Sequence, residues 1–328
     1  MKFLVIGLGS MGKRRIRCLN ALNQKNIAGF DIRRDRRAEA KKNYKIKIFE
    51  KAESAIIEFN PDALIISTSP KFHMKYAHVS LKYNIPCFIE ASVCNLKKIE
   101  ELHKKNLKKK ILIAPSCTMI FNEGIERVKD VVNKKLIGDI NYINYHVGQY
   151  LPDWHPWEKK GHYVWDKDSN GCKELIPFEL TWLHDLFGKI FFLNSINLKL
   201  SDLKINFNDL TRFSILLKKK ILADITIEVL SRPTPTRELT ILGSKGKIIL
   251  SADQQVFKYT NTKLKKYKSY SINTGKIVKG YVNSEKPYIK EIKSFINSVK
   301  YPNKFKFPNT LKKDIMILKI MNRIIKIK

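Results

Sequence analysis

The chain has 328 residues, 44% of them hydrophobic, which suits two domains of ordinary size, each with its own core. No apolar run reaches the ~18 residues of a membrane span, and five scattered cysteines without a C-x-x-C pair argue against a disulfide framework or a zinc site. Lys plus Arg number 63 against 30 Asp plus Glu, a formal +33, but the lysines are spread through every segment, so a solvated basic surface that draws anionic ligands is expected and a nucleic-acid site is not.

Phe3 to Ile6 is a short apolar run, as expected of a buried parallel strand. G-x-G-x-x-G follows as Gly7, Gly9 and Gly12, with Ser10 and Met11 inside the loop. Ile16, Leu19 and Leu22 then form one stripe, so a helix begins at the glycines. In this arrangement Gly7 permits the tight turn, Gly9 lets a pyrophosphate approach the backbone, and Gly12 lets helix and strand pack closely. A helix N-terminus at the loop offers amides and a positive dipole end to phosphate. Ile27 to Asp31 reads as the second strand, and Asp31 stands 19 residues past Gly12, near the ~20 expected for the acid that binds the adenosine ribose. An acid there points to NAD. Arg33 or Arg34 could grip a 2′-phosphate instead, which leaves NADP open.

Strand and helix go on alternating: a polar helix to about Asn43, strand Lys45 to Phe49, helix Ala52 to Phe59, strand Ala63 to Ser67. A helix over Lys71 to Tyr83 carries His73, and Cys87 to Glu90 is the fifth strand. A helix from Asn95 to about Lys109 leads to a sixth strand, Ile111 to Ala114. This is the pattern of a doubly wound α/β Rossmann domain, placed at residues 1–121. Its ligand lies beyond the carboxyl ends of the strands, at Gly7, Asp31, Thr68 and Glu90. The remainder, 122–328, reads as an α+β domain with a large, mostly antiparallel open sheet. A helix from about Asn122 to Lys135 leads into it. Strands follow at Tyr142 to Tyr150, Ile190 to Leu200, Leu210 to Leu217, Ile221 to Leu230 and Arg237 to Leu242, with a helix over Leu175 to Phe187 between the first two. Ile248 to Ser251 and Gln255 to Tyr259 read as edge strands, Thr260 to Asn283 as loop, and two amphipathic helices close the chain. The second of these could pack back on the first domain. A strand entered at once leaves no room for a signal peptide, and the cysteine usage fits a reducing cytoplasm.

The glycine fingerprint, Thr68-x-x-x-x-His73, an acid ending the fifth strand and a large antiparallel-sheet domain together resemble the Gfo/Idh/MocA oxidoreductases over nearly the whole chain. The stretches Gly148 to Trp157 and Lys173 to Trp182 resemble one branch of that family, whose members often lie beside genes for surface-polysaccharide sugars. The resemblance implies NAD or NADP as cofactor, with Thr68, His73 and Glu90 near it. It implies a sugar or nucleotide-sugar substrate and a homo-oligomer, dimer or tetramer. The family's Glu-Lys-Pro is here Glu90-Ala91-Ser92, so its lysine is replaced by Ala91. Its Asp–His pair falls on Leu175 and Phe178.

Hydride transfer needs a group that takes or gives the hydroxyl proton. Lys173 and Glu174, at the start of the helix where the family's pair would lie, are candidates. So is Glu179, an acid amid Pro177, Phe178 and Trp182, where desolvation would raise its pKa; a buried acid bonded to backbone is the alternative. His155 lies in an aromatic loop with Asp153, Trp154 and Trp157, and Tyr163 follows; aromatic faces beside polar groups suit a sugar ring. No His, Cys or acidic group has metal-ligand spacing, so no metal is expected.

Overall fold

The computed structural model describes all residues except 92–94, 155–164, 166–170, 219, 274, 282 and 327–328. The chain divides into two compact units, Met1–Thr118 with Tyr288–Leu318, and Met119–Pro287 with Lys319–Lys328.

In the first unit β1 (Phe3–Ile6) is buried at every position, as are β2 (Ile27–Phe30) and β4 (Ala63–Ile66). Unbroken apolar strands of this kind belong to a parallel sheet covered on both faces. With β3 (Lys47–Phe49), β5 (Cys87–Ile89) and β6 (Ile113–Pro115) they form a six-stranded parallel sheet in the order β3-β2-β1-β4-β5-β6. The order reverses between β1 and β4, where open α/β sheets open a crevice for ligand. The crossover helices are α1 (Ser10–Ala21), α2 (Arg34–Tyr44), α3 (Ala52–Phe59), α4 (Pro70–Tyr83) and α5 (Leu96–Lys109). Turn chemistry stops them locally. Asn60, Asn84 and Lys110 end α3, α4 and α5 in the left-handed conformation, and Asn95 caps α5 by accepting from Lys98 N at 3.0 Å.

The second unit is built on an eight-stranded sheet in the order β14-β13-β12-β11-β7-β10-β9-β8. Its strands are β7 (Ile140–Gly148), β8 (Ile190–Leu198), β9 (Leu210–Leu217), β10 (Ile221–Glu228), β11 (Thr236–Gly243), β12 (Gly246–Ser251), β13 (Val256–Asn261) and β14 (Lys268–Ser271). All pair antiparallel except β7 with β10. Alternation sets one face inward: Ile143, Tyr145 and Val147 of β7, Ala223, Ile225 and Ile227 of β10, and Leu239 and Ile241 of β11 are buried. The apolar side of α7 (Gly171–Phe187) lies on this face, with the Trp182 ring edge-on to Tyr145 at 5.5 Å. Before the sheet comes α6 (Glu123–Asn133), capped by Asn122.

Three expectations change. The stretch Thr260 to Asn283 is not all loop, because β14 lies in it and pairs with β13; its four residues are all exposed, which hides a strand from any reading by burial pattern. The segments read as edge strands, β12 and β13, are interior, and the edge falls to β14. Helix α7 starts at Gly171, four residues early, and runs through Pro177. Burial of Gly171, Cys172, Leu175 and Ile176 outweighs the amide that proline removes. The closing helices are α8 (Lys286–Lys300) and α9 (Leu311–Lys326).

Candidate functional site

The carboxyl ends of β1 and β2 form a cradle. Gly7 has a φ of +92°, and a Cβ there would stand 2.6 Å from Ser67 O. A Cβ on Gly12 would run into the Gly7 carbonyl. Gly9 differs: an added Cβ would meet only the tip of Arg36, 3.2 Å away. So two glycines close the turn, and the third leaves the backbone approachable. Gly9 is the N-cap of α1 and brings no side-chain bond, the first turn holds no acid, and the first helical bond is Lys13 N to Gly9 O at 3.0 Å. The amides ahead of it face out of the helix end, as phosphate binding requires. Below them Asp31, 5% exposed, accepts from Leu8 N at 2.7 Å through Oδ2 and from Arg33 N at 2.9 Å through Oδ1. The carboxylate is thus held in place at the end of β2. These residues fit a dinucleotide.

Arginines surround the acid. Arg33 turns away to Asp35, at 2.5 Å on the surface, and holds that carboxyl below its usual range. Arg37 donates to the carbonyls of Asp31 and Ile32 and to Glu50. Arg36, which sequence reasoning passed over, has its guanidinium beside Gly9 and 3.9 Å from Asp31. No spacing rule separates these neighbours; only the direction in which α2 leaves β2 does.

At the ends of β4 and β5 stand Thr68, His73 and Glu90. His73 Nε2 lies 2.8 Å from Thr68 O, so the neutral ring donates there and holds the loop after β4. Burial pushes its pKa down to about 4, and Nδ1 has no hydrogen-bond partner among the described residues. Glu90, 5% exposed, is gripped by Arg15: Nε to Oε1 at 2.5 Å and Nη2 to Oε2 at 2.8 Å. Ser67 Oγ adds a bond to Oε1 at 3.3 Å. Burial alone would lower the Arg15 pKa; the charges of Glu90 and then Glu291 outweigh it and keep the guanidinium charged.

The second unit carries the substrate candidates. Asp153 ends a short 3₁₀ turn (Leu151–Asp153), and Trp154 follows it. The Trp154 ring reaches the start of α7, since a Cβ on Gly171 would lie 3.5 Å from it, and its buried indole N–H has no hydrogen-bond partner among the described residues. Lys173 and Glu174, both half-buried, occupy the first turn of the same helix. The fold therefore brings Trp154, Lys173 and Glu174 to one end of α7. His155, Trp157 and Tyr163 lie outside the described residues.

Glu179 is fully buried, but its bonds run to side chains and not to backbone. It accepts from Tyr145 Oη at 2.6 Å, Trp182 Nε1 at 3.2 Å and Arg237 Nη1 at 2.7 Å to each oxygen. Burial would lower the pKa of Arg237, but Glu179 and then Tyr145 raise it, so the guanidinium stays charged. Three side chains thus hold this carboxylate in place in the core. Leu175 is buried and Phe178 half-buried, so the positions of the resembled Asp–His pair bring no proton chemistry. Among the described residues no cluster of His, Cys, Asp or Glu could hold a metal ion, and no helix is long and apolar enough to cross a membrane.

Residues 1–113 match the family model described as "Oxidoreductase family, NAD-binding Rossmann fold", GFO_IDH_MocA. No curated protein matches. Solved structures are similar in fold over nearly the whole chain. One is an oxidoreductase from Agrobacterium radiobacter in complex with NAD+, L-tartaric acid and magnesium, at 13% identity and a TM-score of 0.84, covering 98% of this chain and 94% of that one. A UDP-N-acetylglucosamine 3-dehydrogenase from Acidithiobacillus ferrooxidans has 14% identity and a TM-score of 0.78, covering 99% and 96%. A levoglucosan dehydrogenase in complex with NADH has 12% identity and a TM-score of 0.85, with the same coverage. The glycine cradle, the strand order and the match over residues 1–113 agree: that segment matches the NAD-binding Rossmann-fold model of the GFO_IDH_MocA oxidoreductases, and the chain as a whole shares the fold of these solved structures.

Proposed function

We propose that the protein is an NAD(P)-dependent oxidoreductase acting on a carbon of a sugar or nucleotide sugar, with a place in surface-polysaccharide sugar biosynthesis in the cytoplasm. The observation that carries the reading is the uncapped, acid-free start of α1 above the fixed carboxylate of Asp31. Gly7, Gly9, Ser10, Met11 and Gly12 would hold the pyrophosphate, Asp31 the adenosine ribose, and Thr68, His73 and Glu90 the far ribose and ring. The nicotinamide, when bound, supplies the hydride acceptor or donor.

The rest falls to the chain. Oxidation of a hydroxyl releases a proton, and the half-buried Lys173 with Glu174 beside it is the base we assign. His155 is the second candidate for that role. Trp154 would present a ring face and an indole donor to the sugar, and Asp153, Trp157 and Tyr163 are further candidates to bind it. The sugar class is supported by the UDP-N-acetylglucosamine 3-dehydrogenase and the levoglucosan dehydrogenase of the same fold. A homo-oligomer, dimer or tetramer, belongs to the same proposal.

The apolar Leu175 and Phe178 and the fully bonded Glu179 favour a second reading, a dinucleotide-binding sensor or partner subunit without turnover. One experiment separates the two. NADH and NADPH are titrated by fluorescence, then nucleotide sugars are screened for a coupled change in nicotinamide absorbance. Binding with turnover that Lys173→Ala abolishes supports the enzyme. Binding without turnover of any sugar supports the second reading, and no binding of either cofactor ends both.

A further inference from the structure

Arg15 sits three residues after Gly12 on α1 and is fully buried. Its fork on Glu90 uses Nε and Nη2; its third corner, Nη1, stands 2.9 Å from Glu291 Oε2. Glu291 belongs to α8, 276 residues after Arg15 in the chain, and is also fully buried. It accepts from Ser116 Oγ at 2.8 Å, Cys117 N at 2.6 Å and Thr118 Oγ1 at 2.9 Å, which are the residues that follow β6. The guanidinium lies between two rings, with Cζ 4.5 Å from the centre of Phe88 and 5.1 Å from that of Tyr288. One cation thus joins α1, the end of β5, the end of β6 and α8.

Stability alone does not call for such a cluster. Apolar residues of similar volume commonly do as well as a buried ion pair. Phe88, Phe295 and Phe307 already pack edge to face around this spot, with centroids 5.9 to 6.4 Å apart, so an apolar filling was within reach. Charges add orientation: a bidentate fork fixes the plane of a carboxylate as methylenes cannot. The plane fixed here is that of Glu90, at the mouth of the crevice. In a sheet of this order the acid on β2 takes the adenosine ribose, so the other half of the dinucleotide crosses toward the ends of β4, β5 and β6.

We propose that Arg15 and Glu291 are positioning residues for the nicotinamide half of the cofactor, and that α8 is thereby part of the dinucleotide site although it lies outside the matched segment 1–113. The proposal rests on the cofactor reading above. The full-length protein and its Arg15→Lys and Glu291→Gln variants are titrated calorimetrically with NADH and with ADP, which carries the adenosine half alone. Both variants bind ADP within about twofold of wild type and NADH at least about tenfold more weakly, the size expected for a lost charge-assisted bond. Equal weakening of both probes, or an unchanged NADH affinity, overturns the proposal, since a merely structural role moves the two together. If wild type binds neither probe, the cofactor reading itself fails. Should both variants fail to fold by circular dichroism, Thr118→Val, which removes a single donor to Glu291, carries the same split at about threefold.

Discussion

Four arginines crowd the end of β2, and only their directions tell them apart. Arg33 is spent on Asp35 and Arg37 on carbonyls, whereas Arg36 stands beside Gly9 and near Asp31. A 2′-phosphate on the adenosine ribose would meet Arg36 first. Arg36→Ala is therefore expected to weaken NADPH by about tenfold or more, a charge-assisted bond of ~1.5–3 kcal/mol, and NADH by less than about threefold. Parallel fluorescence titrations check this, and equal losses for the two cofactors would place the arginine elsewhere. In the second unit, Arg237→Met strands the Glu179 carboxylate in the core. A broken buried pair costs ~3–5 kcal/mol, so the urea midpoint should fall sharply, while Glu179→Gln with Arg237→Met recovers much of the loss.

At the level of elements, the glycine loop and its helix make a graded prediction. Gly12→Ala forces a Cβ into the Gly7 carbonyl and should lower the melting temperature as well as abolish NADH binding. Gly9→Ala meets only a movable arginine tip, so it should melt near wild type and still lose NADH affinity. Differential scanning calorimetry with calorimetric titration separates the two. The parallel sheet was legible in the sequence because its central strands are continuous apolar runs and two of its helices, α3 and α4, end at asparagines just before a proline. Exposed β14 carried no such signal. The ion clusters escaped for another reason: each hides as a charged residue among apolar ones. Arg15 lies on the buried side of α1 with Gly12, Ile16 and Leu19, Glu291 on that of α8 with Tyr288, Ile292 and Phe295, and Arg237 shares one face of β11 with Leu239 and Ile241. A charge on such a stripe is the informative exception, yet a sequence cannot say which distant charge answers it. The candidate site was half legible. The cradle follows a local motif, whereas the surroundings of Glu179 and Glu90 are made by residues 58 and 75 positions away.

Over the whole molecule, two buried groups set opposing pH dependences. His73 has a pKa of about 4, against 6.5 when unfolded, because burial disfavours its charged form. The unfolded chain then binds more protons between those values, so the stability from His73 is present above pH 6.5 and lost as pH falls toward 4, at most about 3 kcal/mol. Asp314 runs the other way. Burial raises it to about 7 from 3.8, the bond from Asn309 only partly offsets this, and Oδ2 has no hydrogen-bond partner among the described residues. Its stability is full below pH 3.8 and declines up to pH 7, by at most about 4 kcal/mol. Between pH 4 and 6.5 the two nearly cancel. Asp314→Asn should therefore leave a protein whose stability climbs with pH across that window, and His73→Asn one whose stability descends. Urea melts at half-unit pH steps read both slopes; parallel curves for the two variants would refute the assignment.

The first unit is not continuous in sequence: residues 288–318 belong with residues 1–118. A ribosome delivers Arg15 and Glu90 early and Glu291 near the end, with the second unit in between. Until α8 emerges, the nascent N-terminal sheet carries Arg15 with one of its two carboxylates missing and the rim after β6 unpinned. The half of the protein made first is thus the half that can finish folding last, and the interval is long enough for a chaperone to take part.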